Sequence, residues 1–106
     1  MAGGTMSDLE NNIQELREKT NQNRRQFLET DLRTCFIAIE RAHLELSLGN
    51  THEAQKELVI ATRGADVIAR FLREASFEMA DIEAKLADLR SALESLRVAL
   101  DTANSH

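Results

Sequence analysis

The chain has 106 residues, no Pro, Trp or Tyr, only four Phe, and five more acidic than basic residues. That length suits one domain with a modest core, and an apolar fraction of 42%, mostly Leu, Ile and Ala, favours helix over strand. The acidic balance argues against nucleic acid or an acidic membrane as the default partner. Cys35 is the only cysteine; a lone thiol makes no internal disulfide and fits a reducing compartment or a buried structural role. No apolar run approaches a membrane span, and the start, MAGGTMSD, carries no basic region followed by an apolar stretch. A cytoplasmic protein is expected, with no membrane and no cofactor.

In chain order, residues 1–6 read as a disordered leader and residues 7–103 as a single helical domain. Ser7 and Glu10 have capping-box spacing at the head of a first arm, 7–48. Apolar residues follow at Leu9, Ile13 and Leu16. Residues 18–26, EKTNQNRRQ, are polar and predict weak helix or a soft break. The rhythm resumes at Leu28, Leu32, Cys35, Ile39, Ala42 and Leu46, in alternating steps of four and three. The corner falls at 49–50. Gly49 suits the left-handed conformation that ends a helix, Asn50 can cap the next one, and Glu53 would complete a capping box with it. Stop and start signals back to back predict an antiparallel helix–helix corner.

The second arm is expected over 51–102. Ala54, Leu58, Ala61, Ala65, Ile68, Leu72, Ala75, Met79, Ile82, Leu86, Leu89, Leu93, Leu96 and Leu100 continue the same spacing, interrupted by no Pro and by Gly64 alone among glycines. Pairs Asp66–Arg70, Asp81–Lys85 and Arg90–Glu94 would lend small support on the exposed face. The preferred reading is an all-α fold: a long, coiled-coil-like antiparallel helical hairpin that dimerises into a four-helix bundle. In it the second arm overhangs the first, and Leu93, Leu96 and Leu100 lack an intrachain partner, marking them as interaction residues. Val67, Phe71 and Phe77, outside the main seam, join them as a second apolar flank. The alternative is a compact three- or four-helix bundle, with helices near 26–48, 51–74 and 77–101 and a break near Ser76. The uninterrupted phase through 75–77 favours the hairpin.

Few residues suggest chemistry. Glu40 and His43 have the Glu-x-x-His spacing that places two side chains on one helix face as in carboxylate-bridged di-metal sites, but no second such pair occurs and the remaining fold histidine, His52, stands at the corner. Cys35, on the inner stripe, reads as an inert buried thiol without an oriented base. Arg17, Lys19, Arg24 and Arg25 form a small basic segment without interleaved aromatics. Ala42, Gly49, Ala54, Leu58 and Ala61 resemble the small and apolar positions of a single tetratricopeptide repeat over about a third of the chain. The terminal Pro of that pattern is missing and no second copy follows. Such a resemblance implies an interaction role.

The functional expectation is a non-enzymatic interaction or assembly module, acting as a homodimer or through a helical protein partner. A small metal-binding helical protein using Glu40 and His43 is the alternative.

Overall fold

The computed structural model describes residues 5–75 and 79–105, with side chains from residue 10 onward except that of residue 17. These residues form three helices in the order α1 (Thr5–Ser47), α2 (Thr51–Glu74) and α3 (Ala80–Asn104). The all-α class expected from composition stands. α1 opens two residues ahead of the Ser7 cap site, within the span read as a leader, a difference of the size usual at fraying helix ends.

The corner between α1 and α2 closes as the sequence indicates. Gly49 has φ +81°. Its N–H donates to the Leu46 carbonyl at 3.0 Å, and the Asn50 N–H donates to the Glu45 carbonyl at 2.8 Å. This nested pair is a Schellman motif, and the left-handed residue within it is cheap only for glycine. The expected capping box is not made. The Asn50 side-chain amide donates instead to the Glu45 carboxylate at 2.8 Å, and Glu53 pairs with Lys56 at 3.3 Å. Asn50 therefore locks the end of α1 rather than the start of α2.

The second arm is not one helix. α2 ends at Glu74, Ala75 is extended at φ −68°, ψ 135°, and Met79 lies outside helical space at φ −132°, ψ 62°. α3 then returns along α2 in the direction of α1. Ser76 and Phe77 fall outside the described residues. Ile82, Leu86, Leu89, Leu93, Leu96 and Leu100 are all buried. Leu93, Leu96 and Leu100, expected to be exposed on an overhang, are thus core residues, and the fold over 51–104 is that of the three-helix alternative. Energy explains the reversal. Each buried Leu or Ile contributes about 2 kcal/mol, and six of them outweigh the one interrupted turn, whose hydrogen bonds are worth about 1 kcal/mol each.

The core is wholly apolar among the described residues: Leu28, Leu32, Cys35, Ala38, Ile39 and Ala42 from α1, Ala54, Leu58, Ala61, Ala65 and Ile68 from α2, then Met79 and the α3 set. Gly64 acquires a reason that the sequence did not reveal. A Cβ at that position would run into the Cys35 thiol, so α1 and α2 approach across a site where one side chain is absent.

α1 is far longer than its partners, 43 residues against 24 and 25. The molecule measures 78 × 18 × 16 Å. From Asn21 onward the seam positions of α1 lose exposure; from Glu10 to Thr20 every described side chain is exposed. The overhang exists, but it is the first half of α1 and not the end of the last helix. The polar stretch 18–26 is continuous helix.

Two substitutions test this packing. Leu96 is fully buried, so Leu96→Asp should cost at least about 3 kcal/mol and melt the bundle, as read by circular dichroism in a urea series. Gly64→Ala should destabilise by about 1–2 kcal/mol, because overpacking against Cys35 exceeds the helix-propensity gain. In a Cys35→Ala background the same change should become neutral or stabilising. A destabilisation of equal size in both backgrounds would mean that the thiol is not what excludes the Cβ.

Candidate functional site

Exposure divides the candidate residues. Glu40 and His43 sit one turn apart on the outer face of α1, both exposed, and His52 is exposed at the corner. Among the described residues, no group of three or more His, Cys, Asp or Glu is placed to hold a metal. Cys35 is buried on the α1–α2 contact, where burial, and then the nearby Asp31 charge, push its thiol above its ordinary pKa. Burial likewise raises Asp31. A thiol held protonated and out of solvent is a poor nucleophile.

The basic segment is partly engaged within the fold. Arg25 donates to and pairs with Asp81 in the first turn of α3. Desolvation raises the Asp81 carboxyl, but hydrogen bonds from the Ile82 backbone N–H and from its own, together with the Arg25 guanidinium, hold it below the ordinary carboxylate value. An acidic residue at a helix N-terminus is also favoured by the macrodipole. Asp81 thus pairs across helices rather than with Lys85. Glu94 pairs with Arg97 at 3.6 Å rather than with Arg90.

Concavities are shallow. One of about 520 Å³ runs past Glu10, Ile13, Gln14, Glu18 and Asn21. These residues belong to a single helix, which cannot enclose a substrate. Another, of about 190 Å³ near Arg24, Leu28, Phe71 and Met79, is smaller than typical ligand pockets.

Exposed apolar side chains also occur near the corner, at Ile37, Leu44 and Leu48, and on α3 at Val98; one further set forms a line that runs off the bundle. At 3.6 residues per turn, Ile13 and Leu16 share a face with Phe27, and Leu9 falls at the same register position five turns before Phe27. This face is rotated about 100° from the Leu28–Leu32–Cys35 seam. Its direction is set by two contacts. Phe27 packs on Phe71 of α2, ring centroids 5.5 Å apart, whereas Arg25 reaches α3. The line therefore lies on the α2 side of α1, where α2 itself has ended. Ile13 is 43% exposed, Leu16 64% and Phe27 47%. On α2 the line continues through Phe71 and Val67, 38% and 39% exposed, to Ile60. Val67 and Phe71, read as a second apolar flank, lie on the partly exposed face of α2; Phe77 lies outside the described residues. Ile13 and Leu16 were visible in the sequence as apolar residues at helical spacing. What hid them was the assumption that the second arm covers them.

Comparison with protein-family models, with curated proteins and with solved structures finds no match. The tetratricopeptide-like positions at the corner are accounted for by the close helix turn that they build. No described helix is long and apolar enough to cross a membrane.

The Arg25–Asp81 pair gives a pH prediction. Asp81 has a folded-state pKa below its unfolded value, so its contribution is present above the unfolded value near 3.9 and is lost as pH falls through the folded one. Asp81→Asn should lower the urea midpoint at neutral pH, and the difference from the parent should vanish in strong acid. A difference independent of pH would show that the carboxylate charge is not involved.

Proposed function

We propose that the chain is a non-enzymatic helical assembly module that works by homo-oligomerisation or by binding a partner helix. The observation that carries this reading is the exposed apolar line from Ile13 and Leu16 to Phe27, Phe71 and Val67. Half of α1 projects from a bundle that has already buried its own core, so the projection adds nothing to the fold of the single chain. Apolar groups spaced along one helix face at this pitch suit a second helix. Burial of apolar area contributes about 25 cal/mol per Å² before ordering costs are subtracted, so a line this short supports association that depends on concentration.

The mechanism is shape and apolar contact rather than bond chemistry. A buried, protonated Cys35 and shallow open concavities favour that reading over catalysis. A cytoplasmic setting belongs to the same proposal, supported by the one free, buried thiol.

Sedimentation equilibrium of the whole chain over a wide concentration range tests the reading. The expected result is a mass that rises above the 11.9 kDa monomer and returns to it in Leu16→Glu, with the urea midpoint of the bundle unchanged because Leu16 is exposed in the single chain. A monomer at near-millimolar concentration would overturn self-assembly.

A further inference from the structure

We infer that the partner of the projecting half of α1 is a second copy of the same half, laid antiparallel. This rests on the assembly reading above and adds the identity and direction of the partner. The argument is charge. Residues 5–16 contain three acidic residues, Asp8, Glu10 and Glu15, and no basic one. Residues 17–24 contain three basic residues, Arg17, Lys19 and Arg24, and one acidic, Glu18; Arg25, at the root of the arm, is already paired with Asp81. One arm therefore carries opposite charge at its two ends. Two arms placed in parallel set acid against acid and base against base. Reversing one sets each acidic end against a basic end, a discrimination that flanking charges commonly impose on paired helices.

The apolar residues select the register. Ile13 of one arm packs against the partner's Leu16, and Leu16 against the partner's Ile13, about a dyad between residues 14 and 15. In this register position 9 lies across from the partner's Thr20, and Glu10 is level with the partner's Lys19. The head of each arm then points at the Phe27–Phe71 pair of the other copy, where α2 stops. The interface therefore continues the path of α2 along α1. The same register in parallel would bring Lys19 beside the partner's Arg24, two like charges flanking the seam.

Direction and register can be read separately from association. Two single-cysteine variants, Leu9→Cys and Thr20→Cys, each in a Cys35→Ala background, are mixed and oxidised. In the antiparallel pair positions 9 and 20 oppose each other. In a parallel pair they lie 11 residues apart, about 16 Å, too far for a disulfide, whose Cα separation stays near 6 Å. The expected product is the heterotypic 9–20 disulfide, with little 9–9 or 20–20. Small-angle scattering should give a particle about 125 Å long, from two 78 Å molecules sharing about 30 Å of arm. Glu10→Lys or Lys19→Glu should each raise the dissociation constant about tenfold, and mixing the two variants should restore association. Homotypic disulfides with a particle near 80 Å would overturn the antiparallel inference while leaving the assembly reading intact. A dimer indifferent to Ile13→Glu and Leu16→Glu would remove the arm from the interface. A monomer throughout would sink both.

Discussion

Small residues on α2 set the shape of the whole molecule. Its core face presents Ala54, Ala61 and Ala65, and its neighbouring Gly64 leaves room for the Cys35 thiol. Helices faced with alanine and glycine come close together but bury little apolar area by themselves. The α1–α2 pair is therefore geometrically tight, with Leu58 and Ile68 the large side chains that α2 buries. α3 supplies what is missing: five leucines and one isoleucine, all buried, set into the groove that the close pair leaves. Large side chains on one element meet small ones on another, which is how a core reaches crystal-like density without voids. Stretching α3 out as a continuation of α2 would leave those six residues in water and the alanine face half covered. Folding back buries all six.

The same chemistry explains what was and was not legible in the sequence. Alternation by four and three from Ala54 to Leu100 identifies helix and identifies the inward face, and every residue of that series from Ile82 onward is in the core. The pattern says nothing about direction. Two helices of one bundle that share a core need the same spacing, so a chain can reverse between them without a slip in phase. At 49–50 the reversal requires a left-handed residue, and Gly49 announces it. At 75–79 the link has non-helical but ordinary backbone at its described ends, Ala75 and Met79, and such conformations need neither Gly nor Pro. The overhang was anticipated as a consequence of unequal arm lengths, but its location depended wholly on whether that second link was a turn. The surface candidates follow from the same fork: Leu93, Leu96 and Leu100 became core once α3 turned back, and Ile13 and Leu16 became surface.

Two of the apolar faces on α1 differ in what they meet. The seam from Leu28 to Ala42 is satisfied within the chain; the line through Ile13, Leu16 and Phe27 is not, and it is turned about 100° from the seam. Polar residues occupy the seam positions upstream of Leu28, namely Arg25, Asn21, Glu18 and Gln14. The sequence of α1 thus switches its apolar side in the middle of a continuous helix. An arm that merely extended the bundle would keep the seam phase and demand a longer α3. One that faces elsewhere leaves the bundle closed and its own apolar groups in solvent. Arg25 stands at the changeover, and its pairing with Asp81 ties the root of the arm to the first turn of α3.

This division has a consequence for how folding and assembly are coupled. An isolated helix of the arm's length is marginal in water, chiefly because its first turn is costly to nucleate. Here nucleation is already complete, since the arm propagates from a helix pinned by the bundle. Propagation alone, however, adds little per residue, and the arm's exposed surface contributes no tertiary packing. Contacts made along Ile13 and Leu16 with another helix would therefore stabilise the arm's own backbone as well as the pair, while Leu86 to Leu100 hold the bundle regardless. Assembly then adjusts the arm without putting the core at risk. On the proposed assembly, this energetic independence of the two halves would let substitutions at Ile13 and Leu16 alter association while leaving the bundle's stability unchanged.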